Sequence, residues 1–314
     1  MQNEKLAVID ASAFIFRAFY STPPMQTSFG RPINAVYGFF GMIFNTLRQT
    51  RPKYIIFAMD TKGKTFRDEL YNQYKANRIA CPPDLIPQFE IITEGLCASN
   101  LANIAIEGLE ADDIIASICK NANFAGLTKL ICSKDKDLMQ LITNPNVLQY
   151  DFKTNQYIDA KAVVEKFGVE PKYIADYLAL VGDSSDNIPG AKNIGPKKAC
   201  EIINKLGSIE NIYRSIENNE QIIDAKIIAL LQESKSNVLL SKQLTTLTGD
   251  DINLQLQNQY LTETINTAAL EAFFAKYELK SLRTKLAEKW LTESWINKSP
   301  ATLQPSQTTQ DSLF

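Results

Sequence analysis

Short apolar runs, several of them ending in an acidic residue, recur along the first half of the chain. Helical patterns, including residues 35–50 and 87–99, lie between them. Buried strands that alternate with helices are typical of a parallel sheet covered on both faces. We therefore expect an α/β fold, with strands within residues 5–10, 53–60, 102–106, 127–132 and 147–150.

Acidic side chains end or follow each of the first four runs. Ligands of a parallel sheet bind beyond the carboxyl ends of its strands, so we expect these acids at one edge. A single acid after a strand is usually a helix cap or a turn residue. Caps and turns explain the whole set of acids poorly. With two acids from further along the chain, the set is Asp10, Asp60, Glu110, Asp112, Asp113, Asp135, Asp137, Asp183 and Asp186.

Residues 182–190 place Asp183 and Asp186 three positions apart at the end of an apolar helical run. Carboxylates held together repel one another, so they favour binding of a divalent cation between them. A Gly- and Lys-rich turn follows at 192–198, and Pro196 begins a second helical pattern. Backbone amides and lysines in such a turn favour phosphate. Together these features indicate metal-dependent chemistry on nucleic acid.

Residues 60–84 mix basic and aromatic side chains. This composition is typical of a segment that holds a single strand by phosphate contact and base stacking. An ordinary solvated helix face has the same composition, and the sequence alone leaves both interpretations open. The residues are Lys62, Lys64, Arg67, Lys75 and Arg78, interleaved with Phe66, Tyr71 and Tyr74.

The composition narrows the chemistry. The chain of 314 residues contains no histidine, which excludes Ser-His-Asp triads, Cys-His nucleophiles and His-ligated zinc. A nuclease of this composition must activate water with carboxylates and metal ions. The net charge of −2 is compatible with local basic patches, because a carboxylate site lowers the total.

Five irregularly spaced cysteines, without a Cys-x-x-Cys pair, predict reduced thiols and a cytoplasmic location. Asp10 interrupts the apolar run 6–16, so no signal peptide is predicted. No stretch approaches the ~18 apolar residues that a membrane span needs. We expect a monomer.

These ordered motifs resemble the bacterial and phage 5′ nucleases, which are related to flap endonucleases. The greatest likeness is to the 5′-nuclease domain of bacterial DNA polymerase I, and it extends from about residue 6 to 283. Several spaced motifs make the match more specific than any single one. They are residues 8–12, 57–60, 74–78, 110–113, 135–137, 182–190 and 188–206.

The resemblance implies two metal clusters. Asp10, Asp60, Glu110 and Asp112 would surround the first ion, with Asp113 close by. Asp135 would lie between the clusters, and the second would consist of Asp137, Asp183 and Asp186. The expected cofactor is Mg²⁺, with Mn²⁺ as a substitute, in two or more ions.

The resemblance also implies DNA contacts. An arch over the site, at about 61–86, would bring Lys75 and Arg78 to the scissile phosphate, with Arg17 as a further phosphate contact and Tyr74 as a stacking residue. A helix-three-turn-helix at about 183–207 would bind duplex DNA, and its carbonyls would hold K⁺. Its contact residues would be Lys192, Ile194, Gly195, Lys197 and Lys198.

Three positions depart from the family pattern. Lys134 stands where Gly is usual, which would add a cation beside the metals. Asn193 replaces the first Gly of the duplex-binding turn, but Asn tolerates left-handed backbone angles. The arch sequence after Arg78 lacks one proline and a methionine. No expected metal ligand is missing.

The predicted organisation has three parts. Residues 1–170 form the catalytic α/β core with the arch, and 171–295 form a helical duplex-binding domain. Residues 296–314 are Ser-, Thr-, Gln- and Pro-rich, which predicts a disordered tail. No polymerase sequence follows the nuclease region, which predicts a stand-alone enzyme. The end of the tail resembles the motif that docks on the bacterial sliding clamp, through Gln310, Leu313 and Phe314, although short motifs also recur by chance.

The sequence thus predicts a structure-specific 5′→3′ exonuclease and flap endonuclease in replication and repair, acting on DNA and RNA primers. One alternative is a catalytically weak or inactive module that binds DNA junctions, but the full acid set argues against it. Another is a PIN-like ribonuclease, which would lack the duplex-binding turn at 188–206.

Overall fold

A computed structural model describes residues 4–220, 222–249, 252 and 254–287. The predicted disordered tail and its clamp motif, Gln310, Leu313 and Phe314, lie outside the described residues. Within those residues, no helix is long and apolar enough to cross a membrane.

The core is one six-stranded sheet in the order β3-β2-β1-β4-β5-β6. All neighbours pair in parallel except β5 and β6, which are antiparallel. The predicted α/β fold with a parallel sheet is confirmed, and the edge strand β6 is an addition to the prediction. The strands are Lys5–Asp10 (β1), Tyr54–Ala58 (β2), Asn103–Ile104 (β3), Thr128–Cys132 (β4), Val147–Asp151 (β5) and Gln156–Ile158 (β6).

Helices cover both faces of the sheet and extend beyond it. Those in the first part of the chain are Ala11–Ser21 (α1), Asn34–Thr50 (α2), Phe66–Leu70 (α3), Ile86–Ala98 (α4), Ala111–Lys120 (α5) and Ala160–Phe167 (α6). The later ones are Ile174–Val181 (α7), Pro196–Leu206 (α8), Ile209–Glu217 (α9), Ala225–Glu233 (α10), Lys235–Thr245 (α11), Thr267–Lys276 (α12) and Lys280–Leu286 (α13).

The central strand β1 shows why this sequence forms a two-sided sheet. Ala7 and Ile9 pack into the apolar core that contains α1, α2 and α4. Leu6 and Val8 point to the opposite face, where they pack with α5. Successive side chains of a strand alternate between faces, so a continuous apolar run is buried on both sides and its final residue, Asp10, lies at the sheet edge.

The last two helices correct the predicted domain division. Leu270, Phe273 and Phe274 of α12 belong to the same apolar core as α2 and α4. The ring centroid of Phe274 lies 5.2 Å from that of Phe40. Residues 267–286 therefore return to the α/β core, because their aromatic side chains complete it. The helical unit predicted as 171–295 is formed in this structure by α7–α11.

Two glycines fix the turn between α7 and α8. Gly182 and Gly190 have φ angles of 76° and 64°, in the left-handed region that side chains disfavour. A Cβ atom on Gly190 would lie 2.5 Å from the backbone nitrogen of Gly182. The backbones therefore touch, and this contact brings the start and end of the acidic turn together.

We expect Gly190→Ala to destabilise the protein by about 2–3 kcal/mol, because it combines strained backbone with a clash against backbone atoms. Urea denaturation would measure the change. Gly195→Ala is the matched control, since its Cβ would meet no atom within 4 Å. Equal stability of the two variants would contradict the proposed contact.

Candidate active site

The acids of the first two strands lie at the carboxyl edge of the sheet. Asp10 caps α1, with Oδ1 accepting the N–H of Ala13 at 2.9 Å and Oδ2 accepting the hydroxyl of Ser133 at 2.7 Å. Asp60 follows β2, and its Oδ1 accepts the N–H of Ala111 at 2.8 Å. The strand ends thus connect directly to the start of α5.

The N-terminus of α5 carries the next acids. Glu110 caps the helix, and its carboxylate accepts the Tyr74 hydroxyl at 3.2 Å and pairs with Lys75. Asp112 has neither a hydrogen bond nor an ion pair within the described residues. Burial, followed by repulsion from Asp135 and Asp10, raises the pKa of Asp112 well above its usual range. It is therefore a free ligand candidate in a negative environment.

Asp113 differs from the other acids, and the structure corrects its predicted role. It is fully buried, and Arg67 binds both its oxygens, at 2.7 and 2.9 Å. Thr248 donates its N–H and its hydroxyl to Oδ1 at 3.0 Å each. Burial alone would raise the pKa of Asp113, but the Arg67 hydrogen bonds and charge lower it. Its oxygens are fully used, so we assign it to holding Arg67 and not to a metal.

Asp135 and Asp137 lie on the turn after β4. Asp135 Oδ1 accepts the N–H of Asp137 at 2.8 Å. Asp137 Oδ1 is buried and has no hydrogen-bond partner. Burial, and then the charge of Asp135, raises the pKa of Asp137 to about 8. A buried carboxylate oxygen without a donor is costly, so this position calls for a cation.

Asp183 and Asp186 face this turn from the segment after α7. Lys136 pairs with Asp183 Oδ2 at 2.9 Å, and Ser185 donates its N–H and hydroxyl to Oδ1 at 2.9 and 2.6 Å. Arg78 donates to Asp186 Oδ1 through Nη2 at 2.6 Å and Nε at 3.1 Å. Burial would raise the pKa of Asp183, but the donors Ser185 and Lys136 lower it.

The predicted arch, about 61–86, contains the short helix α3 and a series of turns. Its two predicted phosphate contacts, Lys75 and Arg78, point into the acid cleft and pair with Glu110 and Asp186. The Lys75 N–H also donates to the Asp186 carbonyl at 3.0 Å. Both cations are therefore already at the cleft, where a substrate phosphate would compete with the carboxylates for them.

Tyr74 is not available for base stacking in this structure, which corrects the predicted role. It is 7% exposed and packs with Ile188 and Leu244. Its hydroxyl is bound to Glu110. An aromatic residue in a basic segment can equally be a packing residue, and here Tyr74 packs with its apolar neighbours Ile188 and Leu244.

The predicted duplex-binding turn lies before α8. Asn193 adopts φ 61°, which confirms that it can replace a glycine there. Gly195, Lys197 and Lys198 are exposed at the helix start, whereas the Ile194 side chain is buried in the core. Ile194 can therefore offer only its backbone to a ligand. Lys198 Nζ donates to the Asn193 carbonyl at 3.1 Å.

Lys192, the remaining predicted contact of this turn, is exposed and lies 3.8 Å from Glu233. Such an exposed pair is weak, so its ammonium can exchange partners. The predicted K⁺ site uses carbonyls of the same turn, and one of them, that of Asn193, already accepts from Lys198. The K⁺ site stays a prediction.

Arg17 and Lys134 both lie near the ring of Phe152. The Arg17 guanidinium carbon is 5.7 Å, and the Lys134 Nζ 5.8 Å, from the ring centroid of Phe152. Lys134 pairs with Asp151 at 3.3 Å. Lys134 thus pairs with Asp151, whereas the cation that pairs with a predicted metal ligand on this turn is Lys136.

The donor set fits a hard divalent cation. Eight carboxylates, without Asp113, border the cleft. Burial raises the pKa of Asp10 to about 6, although the backbone hydrogen bond from Ala13 partly opposes this shift. Asp137 contributes an unpartnered buried oxygen. As placed, no three of them converge as ligands of one ion in the described part of the chain. Waters would complete the coordination, as Mg²⁺ prefers.

The pKa shifts predict a pH dependence in EDTA. Because the pKa values of Asp10 and Asp137 are raised to about 6 and about 8, the folded protein binds protons more tightly than the unfolded chain. Stability contributed by these groups is thus lost as pH rises from about 4 to about 8. Asp113 and Asp183, with lowered pKa values, are already ionised throughout that window.

We expect the Tm in EDTA to fall by at least about 2–4 °C, or about 1 kcal/mol, between pH 6 and pH 8. Mg²⁺ should raise the Tm more at pH 8 than at pH 6, since it compensates the repulsion. Calorimetry at both values would measure this. A Tm in EDTA that rises over the same interval would contradict the electrostatic description of the cleft.

Sequence reasoning missed two residues of this site. The sequence places Arg67 among the basic residues of the arch segment, yet it is 1% exposed and pairs with Asp113 and Glu110. Its partners lie more than forty positions away, so no local pattern reveals them. Lys136 could have been found, because it lies between Asp135 and Asp137 in the same motif.

Residues 5–168 match the family model "5′-3′ exonuclease, N-terminal resolvase-like domain", and residues 169–268 match "5′-3′ exonuclease, C-terminal SAM fold". The 5′-3′ exonuclease of Buchnera aphidicola is 34% identical over 278 residues, which cover 87% of this chain and 97% of the relative.

The DNA polymerase I of Rhizobium leguminosarum is 38% identical over 296 residues, covering 91% of this chain. The chain spans only 29% of that relative's length. Among solved structures, T5 5′-exonuclease with bound divalent metal ions (zinc) has a TM-score of 0.64 at 23% identity, covering 91% of this chain and all of the other. At that identity the likeness shows a shared fold.

Proposed function

Because the chain belongs to the 5′-3′ exonuclease family, as both family models and its relatives show, we propose that it hydrolyses phosphodiesters of DNA as a structure-specific 5′→3′ exonuclease and flap endonuclease. We include RNA primer ends among its substrates. The observation that carries the proposal is the set of eight neighbouring carboxylates, six ending or following the strands of the sheet and two following α7, with Lys75 and Arg78 paired to two of them.

We propose Mg²⁺, or Mn²⁺ in its place, as the cofactor. The first cluster would be held by Asp10, Asp60, Glu110 and Asp112, and the second by Asp137, Asp183 and Asp186, with Asp135 between them. Bound ions would supply an activated water and neutralise charge at the reacting phosphate. The buried, unpartnered Asp137 Oδ1 supports this assignment.

The chain's own cations would position the substrate. Lys75 and Arg78 pair with Glu110 and Asp186, and a phosphate entering the cleft would take over these partners. Charge-assisted bonds of this kind are strong and directional. They would hold the scissile phosphate against the acids.

Duplex binding is assigned to the turn before α8. Gly195, Lys197 and Lys198 are exposed at the start of this helix, and no side chain caps it. Free N–H groups at a helix N-terminus and nearby lysines bind phosphate. Because these contacts go to the backbone, binding should depend on duplex shape and on salt more than on base sequence.

Three further predictions concern the setting of the enzyme. We propose that residues Gln310, Leu313 and Phe314 dock on a sliding clamp, on the basis of their sequence alone. We also propose a cytoplasmic location, supported by five free thiols, and a monomeric state. Deleting residues 310–314 would test the first proposal, since clamp binding should disappear while cleavage of free DNA is kept.

Cleavage of 5′-labelled substrates would test the proposed function. We expect cutting near the junction of a 5′-flap duplex with Mg²⁺, less cutting of a plain single strand, and none in EDTA. A labelled RNA 5′ segment would test the primer activity. If the single strand and the flap release products of the same length, the result would contradict the structure-specific assignment and favour a general single-strand nuclease.

A further inference from the structure

We propose that Lys134 and Arg17 form a phosphate-binding subsite, built on the ring of Phe152, that holds the substrate's sugar-phosphate backbone beside the acid cleft. The inference rests on the proposed function. Its new element is Lys134, whose side chain lies outside the carboxylate cluster and has no part in the hydrolysis described above.

Three elements of the sheet edge meet at this subsite. Arg17 lies on α1, two turns after Asp10, and Phe152 follows the end of β5. Lys134 lies between Ser133, which donates to Asp10 at 2.7 Å, and Asp135. In the sequence, Lys134 thus stands directly between two residues that border the acid cleft.

Phe152 is a rigid platform. It is 8% exposed, and its ring centroid lies 4.3 Å from that of Phe14 in the core. The Arg17 guanidinium carbon and the Lys134 ammonium stand 5.7 and 5.8 Å from the Phe152 centroid. Both distances are within the range of cation–π attraction, so one fixed ring positions two long, otherwise flexible side chains.

The charges of this subsite do not balance internally. Asp151 pairs with Lys134 at 3.3 Å, but Arg17 has no hydrogen bond or ion pair anywhere in the described ranges. Around the ring, Lys134 therefore has a carboxylate partner and the Arg17 guanidinium has none among the described residues. An anion that reaches the ring could therefore pair with Arg17.

A nucleic-acid backbone supplies the matching anion. Phosphates of one strand follow one another at about 3.4 Å of helix axis, so two cations on one ring lie within reach of neighbouring phosphates. Arg binds phosphate through a planar fork, and Lys acts as a point charge. Because Lys134 directly precedes Asp135 in the chain, the contacted phosphate would lie near the scissile one.

Lys134→Gln tests the subsite by binding and by kinetics. We expect weaker binding of a 5′-flap duplex in EDTA, about three- to tenfold at moderate salt, and a salt slope smaller by about 0.7–0.9, as for one lost phosphate contact. In Mg²⁺, KM should rise by a similar factor with little change in kcat. Lys153→Gln is the matched control, because it removes the same charge from an exposed side chain one residue after Phe152.

Asp151→Asn separates a phosphate contact from a structural ion pair. If Lys134 binds phosphate, this variant should bind DNA as tightly as the wild type or more tightly, since the competing carboxylate is gone. If Lys134 only supports the fold through Asp151, both variants should lose binding equally, and that result would overturn the proposal.

Single methylphosphonate linkages, which are neutral, would locate the phosphate. We expect one position near the cut where neutralisation weakens the wild type but not Lys134→Gln. Equal effects on both proteins at every position would overturn the subsite. Failure of the proposed function is a separate outcome: the wild type would then not cleave at all, whereas the salt slope and methylphosphonate pattern are read from binding.

Discussion

Asp137→Asn should abolish most of the activity while making the metal-free protein more stable. Its Oδ1 is buried without a partner, and its pKa is raised to about 8 by burial and by Asp135. Removing the charge relieves repulsion in EDTA but removes a metal ligand. We expect kcat to fall at least about 10²-fold, or about 2.7 kcal/mol of barrier, with a higher Tm in EDTA.

The prediction is specific because kcat should fall while the Tm in EDTA should rise. Steady-state cleavage of a 5′-flap duplex and calorimetry in EDTA would measure the two effects. Asp84→Asn, at an exposed position of the arch segment, should change neither. A variant that retains more than a tenth of the activity would show that Asp137 is not a ligand, and a lower Tm in EDTA would show that its charge is already compensated.

Arg67→Met should cause the largest loss of stability. Arg67 is 1% exposed and uses its whole guanidinium: Nη1 and Nη2 bind Asp113, Nη1 also binds Glu110, and Nε donates to the Leu244 carbonyl at 2.9 Å. Its removal leaves Asp113 as a buried, uncompensated charge. The expected cost is about 3–5 kcal/mol in urea denaturation.

A second readout separates positioning from simple stability. Glu110 loses a donor in Arg67→Met, so the Mg²⁺ concentration for half-maximal activity should rise about 10–100-fold at a temperature where the variant is folded. The double variant Arg67→Met/Asp113→Asn should be less destabilised than the sum of the single variants. Lys62→Met, which loses an exposed pair with Glu90, serves as the control. Additive effects of Arg67→Met and Asp113→Asn would refute the buried network.

Much of the site could be predicted because its signals are local. Apolar runs of strand length predicted β1, β2 and β4, and the acid that follows each run lies at the sheet edge by the geometry of parallel strands. Asn193 could be predicted to replace glycine because its left-handed preference is a property of the residue itself. The short, mostly exposed β6 carries no such signal and was missed.

The errors concern side chains whose partners are distant in sequence. Arg67 and Tyr74 belong to a basic, aromatic segment whose composition favours exposure. Both are buried because α11 and the turn before α8 cover them: Arg67 reaches Leu244, and Tyr74 packs with Ile188 and Leu244. The resemblance places Asp113 close to the first metal cluster as part of the acidic motif 110–113, although successive residues of a helix face different directions.

The same reason explains the domain boundary. Residues 209–290 look mostly helical in sequence, which favours one helical domain. Only the contacts of Phe273 and Phe274 with the sheet's core show that the chain returns there.

Cleavage and binding of one labelled 5′-flap duplex by the wild type and by Asp183→Asn would test the central claim most directly. We predict that the wild type cuts near the junction with Mg²⁺ and not with EDTA, and that Asp183→Asn binds the duplex comparably but cuts at least about 10²-fold more slowly. Binding by the wild type without cleavage, in Mg²⁺ and in Mn²⁺ alike, would contradict the account and leave a DNA-junction-binding module.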